Sequence, residues 1–410
     1  MSRISTKVAF TVCGLLLPPV VRAQSPPPPA PITWTTHSVQ SKALGNSRVY
    51  FVAVPQGYEQ STTRYPVLIL LDASDQPQFV AALANLRFLA HRGEVPGLIV
   101  VGIPNGADRT RNMTPPTHDP EEMKRARTAG GADQFLAFLG DEVLEAVRSS
   151  YRTLPTTLLA GHSFGGLFAL HSAVSRPGKF TGFIAMSPSL QWSKGEYIVP
   201  FADQLSKMKQ PLRLFVSSGG LEASIDTTTR RFIARLDSTG HPVLALRYQR
   251  YPDDTHGLTP LPSLIDGVRF MFEPVSLRFA EAALSPLPQT ADSASIVRTI
   301  DAIQQRYAAG ARQLALPESL PESILNQYGY ITLQWFNNPA AAIAIFRRNV
   351  ELYPGSANVY DSLGDALLAK GDKLAAEKQF EKAIELAKQT GDEMVLREST
   401  RKLGALKQKS

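Results

Sequence analysis

The stretch Thr156-Thr157-Leu158-Leu159-Ala160-Gly161-His162-Ser163-Phe164-Gly165-Gly166-Leu167-Phe168-Ala169-Leu170 decides how this chain is read. Its opening, 156–160, is a short apolar run with the character of a buried strand, and 165–175 has helical composition. Between them Gly161-His162-Ser163-Phe164-Gly165 fits G-x-S-x-G, the pattern of a serine on a sharp strand-to-helix turn. Glycines flank such a turn because a side chain there would collide with the neighbouring strand or helix. The turn also aims the Phe164 backbone N–H and the helix N-terminus at the place where an oxyanion would form.

Working outward, short runs rich in Val, Ile and Leu at 49–55, 66–71, 98–104, 156–160, 180–186, 212–217 and 244–251 read as strands. Helical patterns at 132–150, 165–175, 227–238 and 262–272 alternate with the later strands. This alternation predicts an α/β fold with a mostly parallel central sheet covered by helices. The stretch from Asn105 to the helix near Ala132 has no clear period and several prolines; it reads as an active-site loop or as a surface excursion.

Serine is a poor nucleophile until a base takes its proton, so a histidine is expected downstream, with an acid between the two. His171 falls on the helix after the elbow and His241 in a turn before a strand. His256, in Asp253-Asp254-Thr255-His256-Gly257, falls in the loop after the last strand, where a base belongs. The acid should follow the preceding strand, which leads into Ser218-Gly219-Gly220-Leu221-Glu222. Glu222 is the choice, to accept the His256 ring N–H; Asp226 is its rival on the same loop. A second oxyanion donor is expected after an earlier strand, in Leu71-Asp72-Ala73-Ser74, from the Ala73 backbone N–H. No metal-ligand spacing, phosphate-binding loop or dinucleotide fingerprint accompanies this set, so neither metal nor cofactor is expected.

These residues resemble the putative-esterase family of the α/β-hydrolase superfamily, which includes ferric-siderophore esterases, feruloyl esterases, S-formylglutathione hydrolases and mycolyltransferases. The resemblance covers roughly 32–272. It rests on Tyr65-Pro66-Val67-Leu68 leading into Leu71-Asp72, on Val101-Gly102-Ile103 followed by Asp108-Arg109-Thr110-Arg111 and Thr114-Pro115, on the elbow, on Ser187-Pro188-Ser189 and on His256-Gly257. It implies that Arg109 and Trp192 lie near the catalytic pocket as substrate-binding residues, although Arg109 taken alone could equally be a surface charge. The expected chemistry is hydrolysis of a small-molecule carboxylic ester through an acyl-enzyme. Acyl transfer from the same intermediate, or an inactive domain serving only binding, are the alternatives.

After Phe272 the strand signals stop, and Ser285-Pro286-Leu287-Pro288 precedes wholly helical sequence. There Ala342, Phe346, Val350 and Leu352 recur as Ala376, Phe380, Ile384 and Leu386, each offset by 34 residues. That period is the tetratricopeptide one. Two recognisable copies are fewer than the roughly three that bury a continuous core. An extra layer from 295–309, packing on the first domain, a protein partner or self-association is therefore expected to cover the exposed faces.

The N-terminus reads as an export signal, with Arg3 and Lys7 before an apolar run from Val8 and a peptidase-like Val21-Arg22-Ala23. The run is shorter than a bilayer span and is interrupted by Pro18-Pro19, so no stable membrane insertion is expected after cleavage. Cys13, the only cysteine, lies inside it; cleavage would exclude disulfides and a cysteine nucleophile. Export without disulfides suits a bacterial periplasm or exterior. The mature chain would carry 40 bases against 36 acids, with no basic stripe interleaved with aromatics, so no nucleic-acid partner is expected. The expected organisation is a signal peptide over 1–23, a proline-rich leader over 24–31, an α/β-hydrolase domain over 32–275, a linker over 276–292 and a helical repeat domain over 293–405.

Overall fold

A computed structural model describes residues 31–59, 62–276 and 292–408. The expected export signal with Cys13, all of the leader but Pro31, and the Ser285–Pro288 boundary lie outside the described residues. Eight strands, β1 Thr35–Gln40, β2 Ser47–Ala53, β3 Tyr65–Leu71, β4 Ile99–Ile103, β5 Thr153–His162, β6 Gly182–Met186, β7 Leu212–Gly219 and β8 Leu244–Tyr251, form one sheet in the order β1-β2-β4-β3-β5-β6-β7-β8. β2 pairs antiparallel with both β1 and β4; every other pairing is parallel.

Up to residue 271 the α-helices are α1 Gln76–His91, α2 Arg109–Met113, α3 Pro120–Arg125, α4 Ala132–Ala137, α5 Leu144–Ser150, α6 Phe164–Ser175, α7 Ile198–Ser206, α8 Ala223–Thr239 and α9 Pro260–Met271. α1 packs with α9, which covers β6 and β7, while α6 covers β5 and β6 and packs with α4 and α7. Coverage of both faces explains why β4 and β6 are buried throughout and read as unbroken apolar runs. At the edge, β8 is mostly half-buried and exposes Arg247 and Arg250, charges that discourage pairing with another chain.

β1, α1 and α7 escaped the sequence reading, as did the short helices α2 and α3. β1, with the polar sequence TTHSVQ, is an edge strand fixed by its register on β2 and by the His37 ring, whose Nε2 lies 2.7 Å from the Tyr151 hydroxyl. α1 buries Phe79, Ala82, Leu83, Leu86 and Leu89 at helical spacing, and the Asp75 side chain caps it by accepting the Gln78 N–H. α7 buries Ile198, Phe201, Ala202 and Leu205. The loop after β4 is no free excursion: it contains α2 and α3 and is stitched to 192–197. Trp192 Nε1 donates to the Pro115 carbonyl at 3.1 Å, and the Thr117 and Ser193 hydroxyls lie 2.7 Å apart.

The C-terminal region is helical: α10 Ser293–Gln313, α11 Glu322–Tyr330, α12 Pro339–Leu352, α13 Ala357–Ala369, α14 Lys373–Thr390 and α15 Glu393–Lys407. α12 and α14 start 34 residues apart and bury Ala342 and Phe346, then Ala376 and Phe380. A side chain at Gly329 would collide with the Phe346 ring, and one at Gly364 with the Phe380 ring, so the same close contact occurs twice. α10 packs on α12 and on the turn Glu273–Val275 after α9. A side chain at Gly310 would strike the Pro274 carbonyl, and the Thr156 hydroxyl donates to the Leu314 carbonyl. These contacts lie at the starts of the parallel strands, the end opposite Ser163.

Candidate active site

β5 delivers Ser163 at its C-terminal end, with φ 61° and ψ −118°, a left-handed region that L side chains enter at a cost of about 1–3 kcal/mol. The surroundings enforce it. A Cβ on Gly161 would overlap the Gly165 carbonyl, and one on Gly166 would lie 2.9 Å from the Met186 carbonyl oxygen. The Ser163 N–H donates to that same oxygen at 3.0 Å, and its Oγ lies 3.1 Å from Ser189 Oγ. The Phe164 N–H, at the start of α6, has no acceptor among the described residues.

The loop after β7 carries Glu222 and the loop after β8 carries His256. His256 Nδ1 contacts Glu222 Oε2 at 2.5 Å. The other carboxylate oxygen accepts the Ser187 hydroxyl at 2.5 Å and the Gly219 N–H. Burial pushes the Glu222 carboxyl up, but its hydrogen bonds with His256, Gly219 and Ser187 outweigh it and hold the group below its ordinary value. Asp226 is engaged elsewhere: Ser218 Oγ donates to it at 2.8 Å, and Arg250 and Arg230 pair with it. The rival carboxylate is thus neutralised within its own cluster, and Glu222 alone of the two meets His256.

Ser187 and Thr259 were not singled out in the sequence as acid-holding groups. The Ser187 hydroxyl touches both Glu222 and Thr259 Oγ1, and Thr259 Oγ1 donates to the His256 carbonyl at 3.1 Å. Only their distance from Glu222 in sequence concealed them. His162 was likewise missed. Its ring lies 4.3 Å from that of His256, centre to centre, and its buried Nε2 has no partner among the described residues. Burial, then the neighbouring His256, push its pKa down to about 4, so this ring is neutral when a base is needed.

Two expectations need correction. The Ala73 N–H donates to the Ile103 carbonyl at 3.1 Å, so it is not the free oxyanion donor expected there. The chain turns at Asp72, with φ 63°, and Ala73 is tucked in toward β4. Trp192 does reach the elbow, its ring edge-on to Phe164 at 5.5 Å, but at 2% exposure it supports Phe164 from behind and offers no face to a ligand. Arg109 is partly exposed. Its Nε and Nη2 grip Asp72 at 2.6 and 2.8 Å, Nη2 also donates to the His162 carbonyl at 3.0 Å, and the guanidinium lies 5.7 Å from the Phe164 ring centre. It anchors the β3 end to the elbow.

Residues 41–238 match the family model described as "Putative esterase". The match and the named relatives show a carboxylic-ester hydrolase. The chain is 27% identical over 234 residues to a ferri-bacillibactin esterase of Bacillus subtilis, covering 51% of this chain and 80% of that protein. It is 30% identical over 198 residues to a siderophore enterobactin esterase of Emericella nidulans, covering 42% of this chain and 55% of that protein. An IroE-like serine hydrolase from Shewanella oneidensis superposes with a TM-score of 0.61 at 22% identity, over 78% of this chain and 100% of that one. An uncharacterised protein from Capnocytophaga ochracea superposes with a TM-score of 0.58 at 13% identity, over 92% of this chain and 99% of that one. At such identities the two structures establish a shared fold, and the second extends it beyond the esterase domain into the helical region.

Proposed function

We propose that this chain is an exported serine esterase that cleaves small-molecule esters of the siderophore kind through a Ser163 acyl-enzyme. The observation that carries the reading is the Glu222–His256 contact at 2.5 Å, on loops that converge at the end of the sheet where the elbow presents Ser163. Ser163 Oγ attacks the ester carbonyl as His256 takes its proton, and Glu222 holds the His256 tautomer and balances the imidazolium. The Phe164 N–H and the α6 N-terminus stabilise the oxyanion. His256 then protonates the leaving alcohol, and water repeats the sequence to free Ser163. His256 is partly exposed, so water reaches the base, which favours hydrolysis over transfer. The siderophore assignment draws on the names of the relatives, and export on the leader sequence.

In the same reading the helical region is of tetratricopeptide type, supported by the 34-residue spacing and the repeated glycine–phenylalanine contact. It docks protein partners away from the catalytic end. A fluorophosphonate probe should label the full-length protein at Ser163 and no other serine, and the purified enzyme should cleave a ferric siderophore ester to free acid and alcohol. Absence of labelling in folded protein removes the reading.

A further inference from the structure

Leu221, Leu258 and Leu261 are 64%, 61% and 47% exposed. Single exposed leucines are ordinary on protein surfaces. These three share a setting. Leu221 immediately precedes Glu222, and its N–H donates to the Asp254 carbonyl at 3.1 Å, on the loop of the base. The Leu258 N–H donates to the Thr255 carbonyl at 3.0 Å, closing the turn that contains His256, and Leu261 lies in the first turn of α9. A side chain at Gly220 would strike the Pro252 carbonyl, so the two loops form one stitched body. None of the three leucines serves the core, which α9 meets through Leu264, Val268, Phe270 and Met271.

The chemistry says which part of a substrate would cover them. Resting on the acyl-enzyme reading, acylation forms the bond from Ser163 Oγ to the carbonyl carbon and breaks the bond from that carbon to the alcohol oxygen. The proton taken from Ser163 passes through His256 to the departing oxygen. Nδ1 faces Glu222, so the transfer uses Nε2, and the alcohol oxygen must come within hydrogen-bond reach of it. The rest of the alcohol then extends over the surface flanking the base. We propose that Leu221, Leu258 and Leu261 form an apolar subsite for the alcohol portion, which makes the enzyme selective for esters whose alcohol carries an aliphatic segment.

Two ester series separate this subsite from one for the acyl group: methyl, butyl and hexyl acetates vary the alcohol, while methyl acetate, butanoate and hexanoate vary the acid. In the full-length protein kcat/KM should rise along the alcohol series. In Leu221→Ser/Leu258→Ser the hexyl-to-methyl ratio should fall about tenfold to a hundredfold, the range for removing apolar contacts from a pocket, while the ratio along the acid series holds. Leu221→Met/Leu258→Met, which keeps the apolar surface, should restore the ratio. A flat alcohol series, an unchanged ratio in the serine variant, or an equal fall along the acid series overturns the subsite. So does a serine variant whose only change is lost binding to liposomes or lost self-association. If Ser163 fails to react with a fluorophosphonate, the acyl-enzyme reading and the subsite both fall; if it reacts and the ratio does not move, only the subsite does.

Discussion

The two ends of the parallel strands are built on opposite plans. At the C-terminal end Ser163, Asp72 and Ser187 all have positive φ, and a carboxylate, two imidazoles and an arginine are brought close together. At the other end the helical region repeats one contact, Phe346 on Gly329 and Phe380 on Gly364, in regular α-helix. Its buried charges are paired: Lys402 on α15 lies 2.6 and 2.7 Å from Asp361 and Asp365 on α13, and the Tyr330 hydroxyl donates to Asp365. Positive-φ residues gather at the catalytic end, at Asp72, Ser163 and Ser187, whereas the docked helices are held by repeated packing contacts.

If that division is real, substitutions at the two ends should separate activity from stability. The largest effect is expected at the elbow: Ser163→Ala should lower kcat by about four to six orders of magnitude while the protein stays folded, and His256→Ala should match it because the two act as one unit. Glu222→Gln should cost less, about three to four orders of magnitude, since it orients and balances the base. Steady-state kinetics with a small activated ester, alongside circular dichroism, measures all three. A folded Ser163→Ala enzyme retaining a tenth of its activity breaks the assignment, and Asp226→Asn proving worse than Glu222→Gln names the other carboxylate.

At the opposite end Phe380→Ala should destabilise the helical region by about 3–5 kcal/mol through the cavity it leaves, with kcat/KM unchanged below the new transition. Urea unfolding and kinetics on the same sample decide it, and a matching loss of activity would show that the two ends are coupled.

A smaller effect distinguishes the site by pH. His162 sits near pKa 4 in the fold against 6.5 when free, facing His256, Asp72, Arg109 and Glu222. The unfolded chain therefore binds more protons between these values, and stability is lost as pH falls through that window, by about 3 kcal/mol at its lower end. Glu222, ordinarily at 4.5 and depressed in the fold, contributes stability that is lost as pH falls below 4.5. His162→Phe should flatten the dependence between pH 6.5 and 4.5. An unchanged slope in urea titrations across that range would mean that His162 is readily protonated in the fold.

How much of this was legible follows from the range of the forces involved. The elbow could be read because its requirements are local: a strand, glycines on both sides of a serine, then a helix. The spacing of Phe346 and Phe380 could be read because a stacked repeat meets the same neighbour twice. β1 could not, because an edge strand with polar residues is specified by its partner rather than by its own pattern. α1 carries a helical apolar stripe that lay hidden beside two unbroken strand signals.

The residue types of the site, Ser163, His256 and a carboxylate in the loop after β7, were therefore set out by the sequence alone, since chemistry restricts which residues can serve and topology restricts their order. Tertiary structure decided the rest. Glu222 rather than Asp226 faces His256 because Arg250, on strand β8, claims Asp226. The Ala73 N–H is spent on Ile103, and Trp192 is enclosed beneath Phe164 by contacts with residues far away in sequence. The helical region lies at the end of the sheet away from Ser163 because Pro274 and Thr156 receive it there. Each of these outcomes is a competition for one donor, one acceptor or one surface, and such a competition is resolved only when the whole chain has folded.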